Sequence, residues 1–327
     1  MGLMKKLTSA IVASSLVLGS VGMAIAAPTA EQVNTAAERM AALNLVKGRL
    51  NADGTTDLAL DQPITRAELL KVVIMGLGYT EENVNILKGA PSFDDVDVNE
   101  WYAPYVALAK NVAAQSGVEV GYPDGMFRPG NQVTAAEALV FIMKLLGITP
   151  VTGDDWIQGN IALAVQSGLL TEADAQALLD DPSAPATRGL VFTIVDTAFD
   201  TYTYPNGKTV YQQNVDKEAP ALTVNQGAPA VQTASVEITG KVSGAVELYA
   251  GTDAITFDAE GNFSYTANLA VGQNTITFTA KDLVGNTASV DYVVERTVGA
   301  AANVAVEIAN QIVAGSEVEM EIYVTDA

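Results

Sequence analysis

Three times between Ala27 and Ala198 the chain repeats one unit, a helix, a polar loop and a second helix, and this recurrence constrains its fold more than any other feature. The first copy is EQVNTAAERMAALNLV (Glu31 to Val46), the loop GRLNADGTTDLALDQP, then TRAELLKVVIMGLG. The second runs from WYAPYVALAKNVAA through SGVEVGYPDGMFRPGNQV to TAAEALVFIMKLLG; the third runs from Trp156 through IALAVQSGLL and a polar insert to TRGLVFTIVDTAF. Trp101 and Trp156 stand 55 residues apart, and the second helices start at Thr65, Thr134 and Thr187, separated by 69 and 53 residues. A helix pair with one apolar stripe per helix cannot bury a core alone, so the copies are expected to pack on one another. Thr65 with Glu68, and Thr134 with Glu137, have the spacing of a capping box. Arg66 follows its cap directly, where the helix macrodipole disfavours a cation by roughly 0.3 to 1 kcal/mol. Because Ala135 holds that place in the second copy behind the same box, the arginine reads as dispensable for folding.

Around Phe199 the pattern changes to short alternating runs. TYTYPNGKTVY places β-formers on both sides of Asn206-Gly207, a hairpin signal. NVDKEAP then reads as a linker. From Ala219 to Arg296 the runs ALTV, SVEITGKV, AVELYA, AITF, NFSYTANL, NTITFTAK and SVDYVV, separated by turn residues, predict an antiparallel sandwich of immunoglobulin type without its disulfide. Val236, Ile238, Phe263, Tyr265, Ile276, Phe278 and Val290 are expected on its inner face, with Asp282 to Asn286 as a strand-connecting turn. NVAVEIANQIVAGSEVEMEIYVTDA reads as the opening strands of a further β domain, cut short, which suggests a fragment of a longer protein.

The chain contains neither cysteine nor histidine, which removes thiol and imidazole catalysis, Ser-His-Asp triads and zinc sites built on those ligands. Its formal charge is −21, from 17 basic against 38 acidic residues over 327, so the long-range field repels nucleic acid and anionic lipid. An anionic partner therefore needs a local pocket. At the N-terminus, Lys5-Lys6 precede an apolar run ending Ala24-Ile25-Ala26, the pattern of a cleaved secretory signal peptide. The acidic run Asp94 to Glu100 lacks the glycine and distal glutamate of a calcium loop. Asp154-Asp155 and Asp180-Asp181 lack the catalytic-size domain a two-carboxylate glycosidase requires. No catalytic residue, metal site or cofactor is expected, and the chain reads as a non-enzyme.

The helical copies resemble S-layer homology repeats of Gram-positive surface proteins. The residues that carry this are Ile64-Thr65-Arg66-Ala67-Glu68 in the first copy and Phe93-Asp94-Asp95-Val96, Trp101, Gly121-Tyr122-Pro123-Asp124-Gly125 and Phe127 in the second. The third contributes Trp156 and Thr187-Arg188. The resulting division is a signal peptide over 1–26, repeats over 27–90, 91–148 and a degenerate 149–200, a hairpin and linker over 201–217, an immunoglobulin-like sandwich over 218–297 and a truncated β domain over 298–327.

The resemblance implies a multidomain fold: all-α repeats in a pseudo-threefold arrangement, followed by the all-β sandwich. It also implies non-covalent anchoring to the cell wall through a secondary wall polysaccharide carrying pyruvate ketals, with self-association in a surface lattice as a further partner and no membrane contact after signal cleavage. Arg66 and Arg188 take the family's anion-contacting position, which Ala135 vacates in the second copy, so the three grooves are not expected to be equivalent. Trp101 and Trp156 read both as anchors of their helix pairs and as rings that stack on sugar. Asp95, Gly121 and Lys110 complete the candidate binding set. An alternative is an exoenzyme or adhesin on the same anchor, its active domain beyond residue 327.

Overall fold

The computed structural model describes residues 27–50 and 56–298, with the backbone of two short strands further on. The expected signal peptide lies outside the described residues, as does most of the expected last β domain.

Among the described residues, eight α-helices build the N-terminal part: α1 (Ala30–Ala42), α2 (Arg66–Gly76), α3 (Glu81–Asn85), α4 (Ala103–Gln115), α5 (Ala135–Leu145), α6 (Trp156–Gln166), α7 (Glu172–Leu178) and α8 (Arg188–Thr201). A short hairpin, β1 (Arg49–Leu50) and β2 (Thr56–Asp57), fills the first inter-helix loop. Capping boxes at Thr29, Thr65, Thr80, Thr134 and Thr171 fix where five of these helices begin, each satisfying two otherwise orphan N–H groups. Their apolar faces merge into one core with Leu69, Leu139, Phe127, Phe192 and Phe199 fully buried.

The three second helices start in a closed cycle. Thr65 bridges to Gln132, Thr134 to Pro185 and Thr187 to Pro63, each pairing with the segment just before the next copy's cap. Backbone donors follow the same cycle. The amide of Ala67 donates to Pro129 (3.1 Å), that of Ala136 to Pro182 (2.9 Å) and that of Gly189 to Leu60 (2.8 Å). Helix N-termini leave four N–H groups unpaired, and here each copy's loop supplies acceptors for its neighbour's helix.

The expected hairpin at Asn206-Gly207 is present as a Thr203–Thr209 bridge. Its second arm, however, turns into a π-helical segment, Tyr211–Val215. Val210 and Tyr211 are drawn into the helical core, and burial of that apolar pair overrides the strand pattern. The two short helices α3 and α7 arise within segments read as loops.

Among the described residues from 221 to 296 there are two sheets. One has strand order β4-β10-β9-β6-β7, from β4 (Ala230–Val231), β6 (Glu247–Ala250), β7 (Asp253–Ala254), β9 (Gly272–Lys281) and β10 (Thr287–Arg296). The other is β3-β5-β8, from β3 (Ala221–Val224), β5 (Ser235–Ser243) and β8 (Asn262–Asn268). Ile238, Val242 and Phe263 of the smaller sheet meet Leu248, Phe278, Tyr292 and Val294 of the larger in a second core. Val236, Tyr265 and Ile276 pack at its margin, whereas Val290 stays outside it. All pairings are antiparallel except β4 with β10. Beyond residue 298, β11 (Asn303–Val306) and β12 (Ile322–Thr325) form an antiparallel pair.

The turn between β9 and β10 belongs to both parts. Val284 is 1% exposed and lies in the core of the helices. Asn286 Nδ2 donates to the carbonyls of Asp216 (3.0 Å) and Glu218 (3.2 Å) in the expected linker. The carboxylate of Asp282 holds the turn's shape by accepting from the amides of Val284 and Asn286.

Candidate functional site

Arg66 begins α2 in the first copy, but its side chain works in the second. It is 5% exposed. Nε donates to the carbonyl of Phe127 (2.9 Å) and Nη2 to that of Val120 (3.2 Å), on opposite sides of the Gly121 to Met126 loop. The guanidinium lies over Tyr122 at 4.4 Å, with Phe127 and Phe141 at 5.1 and 5.4 Å. Arginine is only weakly hydrated and its flat group stacks on rings, which makes such burial feasible. Burial pushes its pKa down, while Tyr122 and Glu137 oppose that shift. The expectation that Arg66 is dispensable for folding is therefore corrected: two buried carbonyls depend on it. Ala135 leaves the equivalent contact unmade in the second copy.

Arg188 repeats the arrangement one step round the cycle. Also 5% exposed, it donates from Nε to the carbonyl of Leu58 (2.9 Å) in the first copy's loop and lies 5.0 Å from the Phe192 ring. Its Nη1, unlike any nitrogen of Arg66, reaches a carboxylate, Glu68 Oε1 at 3.2 Å. The same oxygen accepts from Arg49 Nη2 at 2.9 Å, while Oε2 serves the Thr65 cap. Burial pushes the Glu68 carboxyl up, but the Thr65 amide, Arg49 and Arg188 together hold it below the ordinary range.

Arg188 lines a groove of about 370 Å³ with Trp101 and residues of the first copy, including Lys47, Arg49, Glu68, Lys71 and Glu81. Four cations here face two carboxylates. Lys71 pairs with Glu81 at 3.1 Å, and Glu81 also accepts from the Tyr105 hydroxyl at 2.6 Å. Trp101, expected to anchor its helix pair, is instead 51% exposed and stands edge-on to Tyr102 and Tyr105. The structure thus brings together two of the residues singled out by sequence, Trp101 and Arg188. Lys47, Arg49 and Lys71 were missed, because from Lys47 to Lys71 the sequence holds four bases and four acids and the excess of base arises only where the fold gathers them.

The remaining candidates sit elsewhere. Asp95 accepts from the amides of Phe127 (2.9 Å) and Arg128 (2.6 Å), tying the loop of the second copy to the helix start before it. Gly121 lets that loop approach Phe93, whose ring atom would stand 2.5 Å from an added Cβ. Lys110 donates to the Ser92 carbonyl and lies over Phe93 at 4.6 Å. Trp156 opens α6, half-buried. Around Arg66 a second charged cluster forms: Tyr122 donates to Glu137 at 2.9 Å, and Arg128 lies 4.4 Å from the Tyr122 ring. Burial, then Arg66, push the pKa of Lys144 down. No group of three or more carboxylates suited to a metal occurs among the described residues.

Residues 92–139, which hold most of the second copy, match the S-layer homology domain. The middle cell wall protein of Brevibacillus brevis is 31% identical over 204 residues, covering 60% of this chain and 18% of that protein. The surface layer protein of Brevibacillus choshinensis is 30% identical over 202 residues, covering 60% and 17%. A cell surface protein of Thermoanaerobacter kivui is 30% identical over 175 residues, covering 51% and 21%. The matched part of the chain spans about a fifth of the length of each of these relatives. All three are named as wall or surface proteins rather than enzymes. Among the described residues no helix is long and apolar enough to cross a membrane. The domain match and the relatives place the chain at the cell surface, as a secreted protein of the cell wall or surface layer.

Proposed function

We propose that the helical part anchors a surface protein to the cell wall without a covalent bond, by holding an acidic, pyruvylated secondary wall polysaccharide. The observation that carries this is the groove of Arg188 and Trp101, where cations and an exposed indole converge in a chain of net charge −21. Trp101 stacks on a sugar face, Lys71 and Lys47 supply charge, and Arg188 donates to the ligand's carboxylate. The cluster of Arg66, Tyr122, Arg128 and Lys144 forms a second, weaker site in which Arg66 acts from behind, and Gly121 and Asp95 shape the loop. The third interface, with Ala135 and Leu190 where the others have arginine and glutamate, takes no anion. Two sites in one unit facing a repeating polymer gain avidity without further contacts.

The closed cycle of helix starts supports a pseudo-threefold arrangement of the three copies, and the two facing sheets support an immunoglobulin-like spacer. From Glu218 onward the chain carries 3 basic and 14 acidic residues, so the spacer does not itself hold the anionic polymer. Co-sedimentation with purified walls tests the proposal. Binding is expected to vanish when the polysaccharide is chemically removed, and to fall at least tenfold in Trp101→Ala with the melting temperature unchanged. Undiminished binding to stripped walls overturns it.

A further inference from the structure

The hydrogen-bond cycle aligns the loops of the first two copies residue by residue. Arg66 donates from its amide to Asn131 and from Nε to Phe127; Arg188 donates from its amide to Gln62 and from Nε to Leu58. Leu58 is therefore the counterpart of Phe127. The residues that follow them, Ala59 and Arg128, share a left-handed backbone, φ 51° and 57°, rare for side chains with a Cβ. One residue earlier, Asp57 pairs with Arg49, and the Met126 carbonyl accepts from the Tyr122 amide. Arg49 thus occupies the place of Tyr122. Both side chains reach the capping-box glutamate of their own copy at 2.9 Å, Arg49 at Glu68 and Tyr122 at Glu137.

The exchange of a phenol for a guanidinium alters the groove. Tyr122 is a neutral donor, pinned by Arg66 on its ring. Arg49 is a cation whose side chain is 45% exposed, reached from a short hairpin. Glu68 Oε1 is shared by Arg49 and Arg188, and its other oxygen is committed to the cap. One carboxylate cannot neutralise two guanidiniums, and the Lys71–Glu81 pair offers no surplus acid. Arg49 is the half of this triad free to turn, since Arg188 is also bound to the Leu58 carbonyl and buried.

Resting on the groove reading above, we propose that Arg49 is the specificity-determining residue of this groove: it turns from Glu68 onto the anionic group of a bound sugar, so that this groove selects the charged form of the glycan. Arg188 keeps Glu68 paired through Nη1 while Arg49 moves, and its Nη2 meets the ligand's carboxylate as proposed above. Among the described residues Glu68 is the acceptor that Arg49 meets, and a guanidinium carries five N–H donors in all.

The test uses the whole chain and two probes: ketal-bearing disaccharides released from purified Gram-positive secondary wall polysaccharide, and the same disaccharides after mild-acid removal of the ketal. In Arg49→Tyr, which installs the second copy's residue, affinity for the acidic probe is expected to fall about tenfold, the worth of one charge-assisted hydrogen bond. Its salt dependence becomes shallower. Affinity for the stripped probe stays at the unmodified chain's value, as does the melting temperature, because an exposed ion pair stabilises little. Unchanged affinity for the acidic probe in Arg49→Tyr overturns the inference and leaves the groove reading standing. Equal losses on both probes make Arg49 a structural residue and also overturn it. If the unmodified chain binds both probes equally, or neither, the groove reading itself falls.

Discussion

Arg66 illustrates how a residue can be placed by one element and used by another. The capping box that starts α2 requires only Thr65 and Glu68, and the arginine extends away from its own helix to carbonyls 54 and 61 residues later. Removing it leaves Phe127 and Val120 with buried, unpaired oxygens and a void among three rings. Arg66→Ala is therefore expected to lose about 2 to 6 kcal/mol of stability in urea unfolding, at roughly 1 to 3 kcal/mol for each of the two orphaned carbonyls; a loss below about 0.5 kcal/mol would mean that water replaces the guanidinium. The sequence showed the motif and its anomaly, an arginine at a positive helix end. It could not show the destination, because the partners are backbone carbonyls and carry no side-chain signature. Trp101 was illegible for a related reason: an indole at a helix start has the same pattern whether its ring turns into the core or out over a groove.

At the scale of elements, apolar periodicity was enough to locate α1, α2, α4, α5, α6 and α8, and capping boxes marked the starts of α2 and α5. The short helices α3 and α7 escaped because five and seven residues carry too little period to distinguish from a polar loop. The third copy's departure from the motif also has a packing reason. Where the first copy has Ala67, the third has Gly189, and a Cβ there would stand 2.6 Å from Val33 Cγ1 and 3.0 Å from the Leu60 carbonyl. The closure of the cycle, where α8 meets α1 and the loop at Leu60, thus needs a residue without a side chain. Gly189→Ala is expected to cost about 1 to 3 kcal/mol by overpacking, read as an earlier unfolding midpoint, whereas the reverse change, Ala67→Gly, costs no more than the intrinsic helix penalty of about 1 kcal/mol. Equal midpoints for Gly189→Ala and the unmodified chain would show that Val33 gives way.

For the whole molecule, the turn Asp282 to Asn286 was legible as a turn but not as a joint. Its apolar tip looks like any loop residue until Val284 is found among the helices. Val284→Asp buries an unpaired charge at that joint and is expected to separate the two parts. A calorimetric scan should then resolve two transitions in place of one, and small-angle scattering should show an increased radius of gyration. A single transition and an unchanged radius would show that Asn286 alone holds the contact. The same joint has a mechanical consequence. With Val284 seated and Asn286 tied to the linker at Asp216 and Glu218, a pull on the sandwich cannot be relieved by swivelling at residues 216–220. If the helices hold the wall as proposed, it reaches them as torque, and the tilt at which the chain leaves that foothold is set by the fold and not by thermal wandering.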